Sequence, residues 1–206
     1  MTKLRAVLAV FLALAFLGLS GCGFLTNLTG IPMIEGMEEV SLTPAADFEL
    51  TTQAGQRLRM GDLQGRVVVL TFLDTNCSGD CQAITHGIKE ASAQMDYYEE
   101  AGRAIFLAVT TAPEKDTVER AEQLSRLQGM PQNFFFLTGS REVVERVWTN
   151  YKITGEEIEP ARLVLIDSNG KLRAYVGGPE FKPRDLRHNI RVLLSEQNLL
   201  ALPLCH

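Results

Sequence analysis

The chain has 206 residues, 46 % of them hydrophobic, and a formal net charge of −5. That length fits one domain with a substantial core. An acidic chain with no cluster of Lys and Arg lacks the positive charge that phosphates demand, which excludes nucleic acid as a partner.

Lys3 and Arg5 form a short basic head, and Ala6 to Leu19 is an almost unbroken apolar run. The run is too short for a comfortable membrane span and has the length of a signal-peptide core. Leu19-Ser20-Gly21-Cys22 follows at once and is similar to the lipobox of bacterial lipoproteins. The sequence therefore predicts a lipoprotein signal peptide over residues 1–21, lipid on Cys22, and an extracytoplasmic protein anchored to a membrane by that lipid. Loss of residues 1–21 removes Lys3 and Arg5 and no acidic residue, which takes the charge from −5 to −7. An oxidising compartment permits disulfides. With Cys22 assigned to lipid, Cys77, Cys81 and Cys205 remain, and only the first two are close in sequence.

Residues 22–46, interrupted by Gly30, Pro32, Gly36 and Pro44, read as a tether partly ordered against the domain. The domain then runs over 47–206. Phe48-Glu49-Leu50 and Leu58-Arg59-Met60 bracket Gln53-Ala54-Gly55 and predict a short hairpin. Val67 to Phe72 is a continuous β-branched and aromatic run, the pattern of a strand covered on both faces. Gln82 to Tyr98 reads as a helix, with Ile84, Ile88, Ala91 and Met95 on one face. A second buried strand spans Ala104 to Val109, and Asp116-Thr117 starts a helix that runs to about Leu127. A short aromatic strand from Asn133 to Leu137 and a helix from Glu142 to Tyr151 come next, with Trp148 and Tyr151 as core residues. Arg162 to Ile166 and Lys171 to Val176 flank Asp167-Ser168-Asn169-Gly170, where Asn-Gly supplies the positive φ values of a tight hairpin turn. Arg184 to Asn198 is the last helix. Strands and helices that alternate and end in an antiparallel pair imply an α/β fold, a central mixed β-sheet with helices on both faces.

The strongest local signal is Thr75-Asn76-Cys77-Ser78-Gly79-Asp80-Cys81, directly after a buried strand and before a helix. Unpaired N–H groups at a helix start favour thiolate over thiol, and Cys77 is the nearer to them. Three intervening residues bring the second cysteine about one turn on, so the sulfurs converge. Such a pair forms a disulfide, or clamps a soft ion such as Cu(I). A permanent staple would normally close a longer loop.

In these stretches the chain resembles the Sco/SenC family, membrane-anchored proteins of thioredoxin-like fold linked to assembly of the dinuclear copper centre of cytochrome c oxidase. The resemblance spans about residues 47–176. It rests on Asp47-Phe48-Glu49-Leu50, Asp62-Leu63-Gln64-Gly65-Arg66 and Phe72 leading into the cysteine loop. Further on it rests on Val109 to Thr117, Phe136-Leu137-Thr138-Gly139 and Leu165 to Lys171, in that order and spacing. It implies a thioredoxin-like domain with an N-terminal hairpin extension. It also implies Cu(I) held by the two cysteines and a histidine, at the place that Glu159 occupies here. A carboxylate is a hard oxygen ligand and a poor substitute for imidazole toward Cu(I). Ala112 stands where the family has an aspartate, and Gln82 where it has a proline.

His86 falls roughly 140° around the helix from Cys81 and should not share an ion with it. His188 reads as a solvated or capping residue of the last helix. Cys205-His206 is the other pair with metal-ligand chemistry and the candidate for substitute ligands.

Two functions of different class follow. One is a thiol–disulfide oxidoreductase, in which one of Cys77 and Cys81 attacks a client disulfide and the other resolves it. Asp80 would oppose thiolate formation from close by. The second is a Cu(I) metallochaperone with a depleted ligand set, and a redox sensor or binding module without turnover is a third. The implied partners are a membrane-bound client with reactive cysteines, such as cytochrome c oxidase subunit II, and a thiol reductant.

Overall fold

The computed structural model describes residues 33–36, 38–40, 42–95, 101–153, 163–176 and 182–200, all in the unit that begins at Met33. Its strands are β1 (Glu38–Glu39), β2 (Glu49–Thr52), β3 (Arg57–Arg59), β4 (Val67–Leu73), β5 (Ala104–Thr110), β6 (Phe134–Thr138), β7 (Leu163–Ile166) and β8 (Leu172–Val176). They form an eight-stranded mixed sheet in the order β1-β8-β7-β4-β5-β6-β2-β3. The helices are α1 (Asp80–Met95), α2 (Val118–Leu127), α3 (Arg141–Asn150) and α4 (Pro183–Leu200).

The centre of the sheet is β4, parallel to β5 and antiparallel to β7. Every residue of β4 and β5 is buried, as the unbroken apolar runs require of strands covered on both sides. Alternation splits them: Val67, Val69, Leu73, Ala104, Phe106 and Ala108 face one core, while Val68, Leu70, Phe72, Ile105, Leu107 and Val109 face the other. The first core receives Ile84, Ile88, Ala91 and Met95 of α1, Ala121 and Leu124 of α2, and Leu186, Ile190, Leu193 and Leu194 of α4. The second takes Val144 and Val147 of α3 and the aromatic pair Phe48 and Tyr151. Tyr151 is fully buried, which pushes its phenol pKa upward, and its hydroxyl donates to the Ala46 carbonyl at 2.9 Å.

The hairpin β2–β3 joins the sheet edge through β6, as the sequence predicts for an N-terminal extension. Gln53 in its turn spans to the neighbouring strand: its amide nitrogen donates to the Phe134 carbonyl, and its oxygen accepts from the Phe136 amide.

Two local expectations are corrected, at the β7–β8 turn and at the start of α2. Within the segment read as a tether partly ordered against the domain, Glu38–Glu39 pairs with β8 and Pro44 bridges Lys171. Nearby, the Glu35 amide and carbonyl are both bonded by the side chain of the fully buried Asn189. The β7–β8 turn does not use positive φ at Asn169; only Gly170 has it, at +72°. Asp167 sets that turn, its carboxylate accepting from the amides of Asn169 and Lys171. Finally, α2 is capped by Thr117, whose hydroxyl accepts from the Arg120 amide, and Asp116 is left outside the helix and buried.

Thr71, on the same face of β4 as Val69 and Leu73, is fully buried, and its hydroxyl has no hydrogen-bond partner. An orphaned buried hydroxyl costs about 1–3 kcal/mol. Thr71→Val keeps the shape and removes that cost, so it is expected to stabilise the protein by about 1 kcal/mol. For a chain of this size that is roughly 2–4 °C in Tm, measurable by calorimetry.

Candidate redox site

The parallel pairing of β4 with β5 ends at Leu73 opposite Thr110, and β6 ends beside them at Thr138. The loops that leave β4 and β5 therefore lie side by side at the carboxyl end of the sheet, where open α/β folds place their sites. The Thr111 amide donates to the Leu73 carbonyl and holds the two exits together.

Cys77 lies in the first loop and Cys81 in the first turn of α1. They are joined by a disulfide, with their Cα atoms 5.1 Å apart. This is the pairing that the sequence spacing allows. Both cysteines are buried, at 4 % and 7 % exposure, among Leu73, Ile84, Leu124 and Phe136 of the first core. The covalent pair is thus packed as part of the interior, while Asn76, Ser78 and Gly79 between and before the sulfurs are exposed.

Backbone geometry at the pair is unusual. Cys77 has a φ of +29°, a left-handed conformation rare outside glycine, and Gly79 has +57°. Asp74 supports the first part of the turn, its carboxylate accepting from the Asn76 amide at 2.8 Å and the Cys77 amide at 3.0 Å. The amides of Cys81 and Gln82 donate to the carbonyls of Ser78 and Gly79. Several N–H groups that the sequence assigns to a thiolate are therefore occupied by the protein's own oxygens in the disulfide form. The positive end of the α1 dipole remains beside the sulfurs.

Beneath the loop lies Asp116, only 1 % exposed. One carboxylate oxygen accepts from the Thr75 hydroxyl at 2.6 Å and the Thr75 amide at 3.2 Å, and the other from the Thr110 hydroxyl at 2.5 Å. Its carbonyl accepts from the Thr138 hydroxyl at 2.6 Å. Neither Asp74 nor Asp116 stands out in the sequence as a site residue. The signal for Asp116 is its place in the Val109–Thr117 stretch, obscured because Asp and Thr are both favoured helix caps.

Of the other expected site residues, Cys22, Glu159, Cys205 and His206 lie outside the described residues, as does the side chain of Asp80. His86 is exposed on α1 with its ring 3.9 Å from Glu90, in keeping with a position turned away from the pair. The His188 ring contacts the Met33 carbonyl at 3.1 Å and lies 3.8 Å from the Glu35 carboxylate, so it faces the N-terminal segment. Among the described residues no group of three or more His, Cys, Asp or Glu is arranged to hold a metal ion. What they offer a soft ion is two sulfurs.

A mixed sheet sandwiched by helices, with a dithiol pair at the start of the helix after a central strand, defines a thioredoxin-like protein. The chain belongs to the SCO1/SenC family, whose pattern matches residues 38–195. Among solved structures it is similar to Bradyrhizobium japonicum ScoI with copper bound, at 18 % identity and a TM-score of 0.60, over 73 % of this chain and 99 % of that one. A SCO1/SenC family lipoprotein from Bacillus anthracis is similar at 23 % identity and a TM-score of 0.62, over 76 % and 97 % of the two chains. BsSco, in which a disulfide switch was identified, is similar at 19 % and 0.65, over 77 % and 97 %. At these identities the likeness speaks for the fold. No curated protein matches the chain in sequence.

A Cβ added at Gly79 would meet nothing within 4 Å, so a side chain fits in space, and only the positive φ opposes it. Gly79→Ala should therefore cost about 1–2 kcal/mol of unfolding free energy, as left-handed backbone does for a residue with a Cβ. Chemical denaturation of the oxidised protein measures it.

Proposed function

We propose that the protein is an extracytoplasmic thiol–disulfide oxidoreductase that reduces the cysteines of a client during assembly of the copper centre of cytochrome c oxidase. The observation that carries the reading is the Cys77–Cys81 disulfide at the start of α1, two sulfurs within bonding reach in a family of oxidase-assembly proteins. In the reaction, one thiolate of the reduced pair attacks a sulfur of the client disulfide and releases the other client sulfur as thiolate. The second thiol of the pair then attacks the mixed disulfide, frees the client's remaining thiolate and closes Cys77–Cys81. Two electrons and the two thiol protons pass to the client, and a separate thiol reductant restores the pair. The lipobox at Cys22 supports anchoring at the membrane, within reach of a client such as oxidase subunit II.

The test is conversion of an oxidised subunit II copper-site peptide to its dithiol by the reduced full-length protein in detergent. Wild type is expected to convert it stoichiometrically. Cys77→Ser and Cys81→Ser should each fail to release dithiol product, with one of the two accumulating the mixed disulfide on non-reducing gels. A peptide left oxidised by the reduced wild type would overturn the reading.

The second reading, a Cu(I) chaperone, is favoured by the copper-bound relative. In it, two thiolates hold the ion and Glu159 stands in the family's histidine place. Because a carboxylate is a poor ligand for Cu(I), Glu159→His should bind the ion more tightly in a competitive chelator titration. Equal affinity of the native protein and this variant would mean a third ligand elsewhere, with Cys205-His206 the first place to look, and would put the chaperone reading ahead.

A further inference from the structure

Asp116 takes no part in the exchange reaction as written, yet the fold keeps a carboxylate there at 1 % exposure. A buried carboxyl group is costly unless hydrogen-bond partners replace its water, and three donors reach this one. Its donors have a pattern. The Thr110 hydroxyl belongs to β5, whose position is fixed by pairing on both sides. The hydroxyl and amide of Thr75 belong to the loop, two residues before Cys77. The carboxylate therefore ties the loop that carries Cys77 to the paired end of the sheet. Asp74 continues the hold to the amides of Asn76 and Cys77. The conformation held in this way is one that Cys77 would not keep by itself, since its left-handed φ costs about 1–2 kcal/mol.

We propose that Asp116 is a positioning residue for the dithiol: acting through Thr75, it holds Cys77 in place and so sets the effective concentration of its thiol toward Cys81. The proposal deepens the exchange reading and rests on it. The reduced and oxidised forms differ in one bond between those sulfurs. A clamp that keeps the sulfurs together when that bond is open favours the disulfide, whereas support given equally to both forms leaves their ratio alone.

The test is equilibration of the full-length protein in detergent with mixtures of reduced and oxidised dithiothreitol. Dithiothreitol supplies the two electrons and two protons that open Cys77–Cys81 and closes to its own cyclic disulfide. Acid quenching, alkylation and peptide mapping then give the reduced fraction at Cys77 and Cys81 separately from Cys22 and Cys205. Asp116→Asn puts a donor where one of the hydroxyl donors now finds an oxygen. It should lower the effective concentration about tenfold, an upward shift of about 30 mV. Thr75→Val, which removes one of the three donors to the Asp116 carboxylate and leaves the Thr75 amide, should shift the ratio several-fold in the same direction. Tyr151→Phe, which loses a buried hydrogen bond to Ala46 on the other face of the sheet, should lower Tm and leave the ratio at the wild-type value.

A folded Asp116→Asn with the wild-type ratio would overturn the proposal, as would an equal shift in Tyr151→Phe. If Asp116→Asn does not fold, Thr75→Val decides alone, and an unchanged ratio there is equally fatal. The ratio is read without any client. A shift with no client turnover therefore sinks the exchange reading and not the clamp, and turnover with no shift does the reverse.

Discussion

The parallel pairing of Val67–Leu73 with Ala104–Thr110 is the constraint from which the site follows. Apart from Thr71 and Thr110 both strands are apolar, so each must be covered on both faces, and helices do the covering. Parallel strands bring their carboxyl ends to the same edge of the sheet. The loops after β4 and β5 meet there, with the end of β6 alongside. Loop sequences elsewhere in the chain could vary without moving that meeting point, whereas a slip of one residue in the pairing would exchange the two cores.

At the meeting point the fold holds a polar cluster beneath an apolar one. Asp116 gathers hydroxyls from Thr75 and Thr110 through its carboxylate and from Thr138 through its carbonyl. The disulfide belongs to the first apolar core, with Leu73, Ile84, Leu124 and Phe136. The two clusters have different physics. The apolar one gains from excluding water, in proportion to the area covered, and tolerates modest displacement. The polar one depends on distances near 2.5–2.6 Å and loses most of its value when they lengthen. Position at the loop is therefore set by the hydrogen bonds, and shielding by the core.

Much of this was legible in the sequence where the pattern was long and had one explanation. The apolar run of β4 could only be a doubly covered strand. Ile84, Ile88, Ala91 and Met95 could only be one helical face, and the structure buries all four. The cysteine spacing allowed the pairing that is found. Short or ambiguous signals failed for physical reasons. Glu38–Glu39 is a two-residue strand with no alternation to detect, and it exists because β8 offers an edge. Asp116-Thr117 presents two good caps in a row, and only the tertiary position of the Thr75 and Thr110 hydroxyls decides which one is buried. Asn169-Gly170 suggested a turn with two positive φ values, but Asp167, two residues earlier, offered the amides of Asn169 and Lys171 a closer acceptor. The bonds from Thr75 to Asp116 were not legible at all, because they join residues 41 apart in sequence.

The burial of the pair bears on how any exchange must proceed. Thiol–disulfide exchange needs a third sulfur at one of the two already bonded, and exposures of 4 % and 7 % leave it little approach. The loop must open before attack, and the structure limits where. Residues up to Cys77 are held by Asp74 and Asp116, and from Cys81 onward the chain is in α1. Movement is left to the exposed residues Ser78 and Gly79, and Gly79 is the residue whose backbone changes conformation at least cost. The rate of exchange with a bulky partner then measures loop opening, and the equilibrium with a small dithiol measures how well the closed loop holds the sulfurs together. The two are separate properties of one short segment, and the proposed hold of Asp116 on Thr75 bears on the second.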